Sequence, residues 1–182
     1  MNLKLNADQL RRYQISEVRS QTSESKAVLK SEIYIILDNV LDTYNTGSIF
    51  RLADAIAAKK VYLCGETETP PNHRIKKASI NTTEVVEWEY AESAVKAIRN
   101  LQLSVNNLQL VAIEQAATSV PYDKFEYKLP LALVVGNEST GISKEVLKLT
   151  QGIVELPMFG VNISLNVMVS LAVVLYKVIE IT

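Results

Sequence analysis

The sequence predicts an α/β protein with a mostly parallel sheet flanked by helices. Five short runs of β-branched and aliphatic residues alternate along the chain with longer stretches of helical character. These runs are almost continuously apolar, as expected for strands that helices cover on both faces. The chain has 182 residues, of which 48% are hydrophobic, so it is long enough to bury the core of one such domain.

The predicted elements extend from residue 33 to residue 180. The strand candidates are 33–37, 60–63, 108–113, 131–135 and 153–156, with a further candidate at 85–88. The helix candidates are 47–58, 91–102, 143–149 and 164–180. Residues 6–20 predict one more short helix with a narrow apolar stripe, and the polar stretch after it predicts a linker. We therefore divide the chain into an N-terminal helical extension and linker at 1–30 and an α/β domain at 31–182.

The composition argues against several kinds of site and location. Cys64 is the single cysteine and His73 the single histidine, so an internal disulfide is impossible and we expect no metal site. The apolar run 167–181 is shorter than the roughly 20 residues of a membrane span and contains Lys177, so it predicts a buried helix. The first residues carry no apolar stretch typical of a secretion signal, and we expect a cytoplasmic protein without a membrane segment.

Positive charge is unevenly distributed along the chain. The formal net charge is −1, yet residues 1–30 contain six Lys or Arg against three Asp or Glu, which is a local charge of +3. A second basic cluster lies at 73–77. Both clusters fit ordinary solvated helix faces, and both fit contacts with phosphate groups.

Three glycine-containing loops follow predicted strands, at 38–51, 136–143 and 157–166. Ligands of parallel α/β sheets bind beyond the carboxyl ends of the strands, so these loops are the candidate site. The second loop has the spacing of a nucleotide phosphate loop, but Ile142 replaces the lysine that pairs with phosphate, and Glu138 adds a negative charge. No G-x-G-x-x-G follows the first strand. The sequence therefore disfavours nucleotide hydrolysis and dinucleotide binding.

The polar side chains of the other two loops also allow a purely structural interpretation. Asn45 fits a helix N-cap, and Arg51 fits a surface position on the same helix. Ser164 fits the cap of the last helix. Asn166 in the first turn of an otherwise apolar helix is harder to explain, because a buried amide costs stability unless it is hydrogen-bonded.

Taken together, the three loops resemble the ordered motifs of a known family, the SpoU/TrmH branch of the SPOUT RNA methyltransferases. The similar segments are Asn45-x-Gly47-x-x-x-Arg51, Gly136-Asn137-Glu138-x-x-Gly141 and Leu156-Pro157-Met158-x-Gly160-x-x-x-Ser164-Leu165-Asn166-Val167. The resemblance is to a short form that has no separate N-terminal RNA-binding domain. It implies a deep C-terminal trefoil knot, which is rare among folded chains, and a homodimer in which the last helix packs against its partner.

The resemblance also implies an activity, methylation of a ribose 2′-hydroxyl of tRNA or rRNA by S-adenosylmethionine. It assigns catalysis to Asn45, Arg51, Glu138, Ser164 and Asn166. It implies donor contacts at Ile113, Gly136, Asn137, Gly141, Leu156, Met158, Ser164 and Leu165, of which Ile113 is assigned only by its position at a strand end. The extension and the basic cluster at 73–77 would then contact RNA through Arg11, Arg12, Arg74, Lys76 and Lys77.

Such a reaction requires alignment of the methyl carbon with the ribose oxygen and loss of the hydroxyl proton, and it needs no metal. A guanidinium stays protonated in proteins, so we expect Arg51 to grip the neighbouring phosphate and stabilise developing alkoxide charge. Asn45 and Asn166 are expected to orient the hydroxyl or Arg51. Ser164 would support this geometry, and Glu138 would hold either a partner's arginine or the loop.

Two other functions stay open on the sequence. A base-methylating relative would share the fold, although the Ser164-Leu165-Asn166 ending favours the ribose branch. A non-catalytic RNA-binding or assembly protein would also keep the fold, although all five motif side chains are present. A nucleotide-binding protein ranks below both because of Ile142.

Overall fold

The computed structural model describes residues 31–181 of the chain. The extension predicted at 1–30, with its helix at 6–20 and with Arg11 and Arg12, lies outside the described residues. Within the described part, no helix is long and apolar enough to cross a membrane.

Across residues 31–181, seven strands form one parallel sheet. They are β1 (Ile33–Asp38), β2 (Lys60–Cys64), β3 (Trp88–Ala91), β4 (Gln109–Ile113), β5 (Val120–Pro121), β6 (Leu131–Gly136) and β7 (Gly152–Glu155). Their order across the sheet is β3-β2-β1-β6-β4-β7-β5, and every neighbouring pair is parallel. The predicted mostly parallel sheet is therefore confirmed. The trefoil knot implied by the resemblance stays a prediction.

Helices cover both faces of this sheet. They are α1 (Thr43–Ala55), α2 (His73–Ser79), α3 (Ala94–Ser104), α4 (Lys144–Leu147) and α5 (Val167–Ile181). One core cluster joins α1, α2 and α5 to the sheet, and a second joins α3 and α4 to the opposite face. Within β1, Ile35 belongs to the first cluster and Ile36 to the second, and both are fully buried. Burial on both faces is the reason that the strands carry continuous apolar runs.

Capping side chains move the ends of two helices away from their predicted positions. α1 begins before residue 47 because the Asp42 carboxylate accepts hydrogen bonds from the backbone N–H groups of Tyr44 and Asn45. α5 begins after residue 164 because Asn166 Oδ1 accepts from the N–H groups of Met168 and Val169. Placing Asn166 inside the helix was therefore wrong, since it is the residue that caps it.

Other differences concern short elements. The strand predicted at 85–88 lies at β3 instead, after a single 3₁₀ turn at Thr82–Glu84. The helix predicted at 143–149 is one turn long, at α4. Neither α2 nor β5 was predicted. In α2, only Ile75 and Ser79 are buried, so its apolar pattern is weak. β5 has only two residues, which are too few to show an alternating pattern. The Asn72 side chain caps α2 by accepting from two backbone N–H groups.

The C-terminal end of α1 offers a test of local strain. Ala57 has a φ of 50°, which is in the left-handed region. The Ala57 N–H donates to the carbonyl of Asp54, and the Ala58 N–H donates to the carbonyl of Ala53. These two bonds form a Schellman motif, in which the position of Ala57 is usually glycine. We expect Ala57→Gly to raise the free energy of unfolding by about 1 kcal/mol, because glycine adopts this backbone conformation without the Cβ clash. Urea denaturation of both proteins measures the change.

The matched control is Ala55→Gly, which lies in the last turn of α1. This substitution should lower the free energy of unfolding by about 1 kcal/mol, because glycine inside a helix loses more backbone entropy than alanine. A lower stability for Ala57→Gly as well would contradict the strain at Ala57.

Candidate active site

A cavity of about 720 Å³ opens at the carboxyl ends of β4, β6 and β7. Its size lies within the range of roughly 300–1,000 Å³ that is typical of small-molecule sites. The lining includes all eight residues predicted to contact a donor, namely Ile113, Gly136, Asn137, Gly141, Leu156, Met158, Ser164 and Leu165. Two further predicted residues, Glu138 and Asn166, also line it. Loops far apart in the sequence therefore meet around one cavity.

The loop after β6 is a tight turn that Asn137 organises. Its side-chain Oδ1 accepts from the backbone N–H groups of Ser139 and Thr140, and its Nδ2 donates to the carbonyl of Asn39. Asn137 and Gly141 also exchange two backbone hydrogen bonds. These contacts close the turn on itself and attach it to the loop after β1.

Two glycines make this turn possible. A Cβ atom at Gly136 would collide with the backbone of Gly141 and Ile142, and Gly141 itself has a φ of 71°. Only glycine accepts both constraints without strain. The missing side chains make room for the backbone of the turn at Gly136 and for the Glu114 carboxylate at Gly141, so the turn packs tightly in the cavity wall.

A chain of hydrogen bonds connects the three loops. Asn166 Nδ2 donates to Asn45 Oδ1 over 2.9 Å, and Asn45 Nδ2 donates to Glu138 Oε1 over 2.9 Å. Because Asn166 Oδ1 already caps α5, its amide has one orientation, and this fixes the orientation of the Asn45 amide in turn. The three side chains therefore form one directed network, with Asn45 only 8% exposed.

Glu138 holds the loop after β1. Its carboxylate accepts from the backbone N–H groups of Leu41 and Asp42 as well as from Asn45. Partial burial raises the pKa of Glu138, but the hydrogen bonds from Asn45, Leu41 and Asp42 outweigh it and hold the pKa below its ordinary value. Glu138 is therefore ionised at neutral pH and is a weak proton acceptor. We expected Glu138 to hold either a partner's arginine or the loop, and within this chain it contacts the loop.

The lowered pKa of Glu138 predicts a loss of stability in acid. A carboxylate whose folded-state pKa is depressed stabilises the protein above its unfolded-state pKa of about 4.3, and this contribution disappears as the pH falls through the folded-state value. We expect the difference in unfolding free energy between the wild type and Glu138→Gln to shrink as the pH falls below about 4.3. Denaturant titrations of both proteins across this range measure it, and a difference that stays constant with pH would contradict the ionised hydrogen-bonded state.

Arg51 does not line the cavity of its own chain. It is exposed on α1, six residues after Asn45, and that spacing places it roughly 120° around the helix from Asn45. Arg74, Lys76 and Lys77 are exposed on α2, which packs directly against α1. A Cβ atom at Gly47 would collide with Ala78 of α2, so this glycine permits the close contact between the two helices.

Sequence reasoning missed two polar residues that follow β4. Glu114 and Gln115 line the cavity, yet they belong to none of the three motifs. Glu114 Oε2 accepts from the N–H of Ile142 over 2.8 Å, and Gln115 Nε2 donates to the carbonyl of Ile163 over 2.6 Å. Their signal in the sequence was the position, since they come directly after an apolar strand whose carboxyl end lies at the ligand-binding edge.

The single cysteine is buried, and His, Cys, Asp and Glu side chains do not cluster in the described residues. Burial raises the pKa of the Cys64 thiol to about 12, so that it stays protonated and unreactive at neutral pH. Within residues 31–181, no group of three or more His, Cys, Asp or Glu side chains is placed to hold a metal ion.

The parallel sheet, with its cavity at the carboxyl ends of the strands and glycine turns in the wall, defines an α/β protein built to bind a small molecule. A sequence model described as the SpoU rRNA Methylase family matches residues 32–176. This chain belongs to that family.

Named relatives agree with this family. The chain is 29% identical over 152 residues to the tRNA (guanosine(18)-2'-O)-methyltransferase of Aquifex aeolicus. This alignment covers 81% of this chain and 69% of the relative. It is 31% identical over 144 residues to a putative TrmH family tRNA/rRNA methyltransferase of Staphylococcus aureus, covering 79% and 57%. The crystal structure of an AdoMet-bound rRNA methyltransferase from Sinorhizobium meliloti aligns with a TM-score of 0.76 at 29% identity, covering 83% and 57%. The chain thus spans 57% to 69% of the length of these three relatives.

Proposed function

We propose that this protein transfers a methyl group from S-adenosylmethionine to a ribose 2′-hydroxyl of tRNA or rRNA. The observation that carries the proposal is a cavity lined by two of the motif loops, to which the hydrogen bonds from Asn166 through Asn45 to Glu138 attach the third loop. The relatives' names support both RNA classes as substrates. We propose the cytoplasm as the location, because both RNA classes are found there.

The cavity fits S-adenosylmethionine in shape and in charge. Ile113, Leu156 and Leu165 supply apolar wall for a nucleoside. The lining carries three carboxylates, from Glu114, Glu138 and Glu155, and one ammonium group, from Lys144. An excess of negative charge suits a cationic ligand. When bound, the donor supplies an electrophilic methyl group on a sulfonium centre.

The active form in this proposal is a homodimer. Because Arg51 does not reach the cavity of its own chain, we assign it to the cavity of a second copy. The surface around the cavity mouth supports such an interface, since Phe159, Val161 and Ile163 are 96%, 99% and 79% exposed. Tyr176 on α5 is also 57% exposed, next to side chains of the same helix that are buried in the core. Exposed apolar patches of this kind are typical of protein interfaces.

Arg51, Asn45 and Glu138 then contribute to the reaction in different ways. Arg51 grips the phosphate beside the target and lowers the cost of negative charge on the 2′-oxygen as its proton passes to solvent water. The products are the 2′-O-methylated ribose, S-adenosylhomocysteine and the released proton. The Asn45 amide, fixed by Asn166 and Glu138, orients the reacting groups. Glu138, ionised and occupied by N–H donors, holds the loop and takes no part in proton transfer.

RNA contact is proposed along the basic face next to α1. Arg74, Lys76 and Lys77 are exposed on α2, which packs against the helix that carries Arg51, and we assign them to the same phosphate backbone. Arg11 and Arg12 are proposed as further contacts from the extension.

The test is incubation of the protein with labelled S-adenosylmethionine and total RNA from a strain that lacks its gene, followed by mapping of the label. We expect label at an alkali-resistant linkage, because 2′-O-methylation blocks the hydroxyl that attacks the neighbouring phosphate. Label on a base would support the base-methylating alternative. RNA binding without any label would support the non-catalytic alternative.

A further inference from the structure

We infer that Glu114 and Gln115 are positioning residues that hold the two cavity loops in the geometry required for donor binding. Both residues follow β4, and neither belongs to the motifs that define the family resemblance. This inference rests on the proposed binding of S-adenosylmethionine. It adds a fourth segment, at the end of β4, to the three loops of the site.

Glu114 connects β4 to the loop after β6. Its Oε1 accepts from the N–H of Gln115 over 2.9 Å, and its Oε2 accepts from the N–H of Ile142 over 2.8 Å. A Cβ atom at Gly141 would collide with Oε2, so the carboxylate lies directly against the turn. Hydrogen bonds to a charged acceptor are stronger than neutral ones. Glu114 therefore attaches the turn to the end of β4, in addition to the Asn137 attachment to Asn39.

Gln115 connects β4 to the loop after β7. Its Nε2 donates to the carbonyl of Ile163 over 2.6 Å, although the two residues are 48 positions apart. The segment around Ile163 is highly exposed, and Phe159 and Val161 on it are almost fully exposed. With so little buried surface, this loop depends on hydrogen bonds to fix its position. Gln115 supplies one directly beside the donor-lining residues Ser164 and Leu165.

Two consecutive side chains thus reach in two directions, one to each wall of the cavity. Backbone pairing places them there, since the Glu114 N–H donates to the carbonyl of Val154 at the end of β7. If the loops lose these attachments, the donor must order them on binding, and its affinity falls by the cost of that ordering. With the donor bound, the loops are ordered again and Asn45, Asn166 and Glu138 keep their own mutual hydrogen bonds, so turnover at saturating donor should change little.

The experiment measures S-adenosylmethionine binding by calorimetry and donor KM and kcat with RNA, using the full chain. We expect Glu114→Ala to weaken donor binding by on the order of tenfold, and Gln115→Leu by about threefold to tenfold, with kcat within about twofold of the wild type. Glu114→Gln should recover part of the loss, because its amide oxygen still accepts one N–H. Hydrogen exchange should speed up at the Ile142 amide in Glu114→Ala and leave the β6 amides protected.

The matched controls are Glu126→Ala and Gln102→Leu, which make the same changes at exposed positions outside the cavity. Both should bind the donor like the wild type. Because Gln115 is exposed, Gln115→Leu tests the inference even if Glu114→Ala does not fold. If the wild type binds the donor but both Gln115→Leu and Glu114→Gln bind it with unchanged affinity, the inference is overturned and the proposed function stands. A wild type that binds no donor would overturn the proposed function and the inference with it.

Discussion

Replacing Arg51 with alanine is expected to abolish most RNA methylation while leaving donor affinity nearly unchanged. The side chain is exposed on α1 and does not line the cavity that would hold the donor. Its proposed work is to grip a phosphate and to stabilise charge on the 2′-oxygen, which matters mainly in the transition state. Loss of one such group typically lowers kcat by about 100-fold to 1,000-fold. Single-turnover assays with saturating donor and RNA measure the rate, and calorimetry measures donor affinity.

Arg99→Ala is the control for this substitution. Arg99 is an exposed arginine on α3, on the opposite face of the sheet from α1, so its removal changes the net charge equally and should leave the rate unchanged. Arg51→Lys should recover only part of the rate, because an ammonium group does not match two phosphate oxygens as a guanidinium does. A comparable loss of donor binding in Arg51→Ala would show that this residue belongs to the donor site instead.

The second large effect is expected for Gly136→Ala, which should abolish donor binding and destabilise the fold. The added methyl group would collide with the backbone of Gly141 and Ile142, and the backbone has no alternative rotamer with which to avoid it. The tight turn must therefore open. Forcing extra volume into a well-packed site costs roughly 1–3 kcal/mol, and the opened turn no longer forms the cavity wall. Calorimetry with the donor and urea denaturation measure the two effects.

Gly160→Ala is the control, because it adds the same methyl group at a glycine where no collision is expected. Gly160 lies in the loop after β7, and a Cβ atom there has no other atom within 4 Å. Its replacement should leave the free energy of unfolding unchanged within about 0.5 kcal/mol. If Gly136→Ala binds the donor like the wild type, the turn is not the donor-binding element that we propose.

Apolar patterning was sufficient to predict most of the sheet, and the family resemblance predicted eight residues of the cavity wall. The apolar runs identified β1, β2, β4, β6 and β7 because burial on both faces leaves no place for polar side chains in them. All eight predicted donor contacts line one cavity because the carboxyl ends of parallel strands lie at the same edge of a sheet. Even Ile113, assigned only by its position at a strand end, is part of the wall.

The sequence was less informative where a helix or strand is short or capped by a neighbour. α2 and β5 are too short to show a periodic pattern, and the cap at Asp42 competes with Asn45, which is an equally good capping residue type. Glu114 and Gln115 were missed because their contacts are with backbone atoms of Ile142 and Ile163. Every residue offers the same backbone groups, so the identity of Ile142 or Ile163 does not indicate that its backbone accepts or donates such a bond.

By itself, the sequence determined the parallel α/β fold, the three glycine-containing loops and the side chains available to them, because burial and turn chemistry act on neighbouring residues. Only the tertiary structure decided which side chains meet. It joined Asn166 to Asn45 and Asn45 to Glu138, and it placed Arg51 outside the cavity of its own chain. The physical reason is that hydrogen bonds act over about 3 Å between atoms, whereas these residues are brought together from 93 to 121 positions apart by the order of the strands.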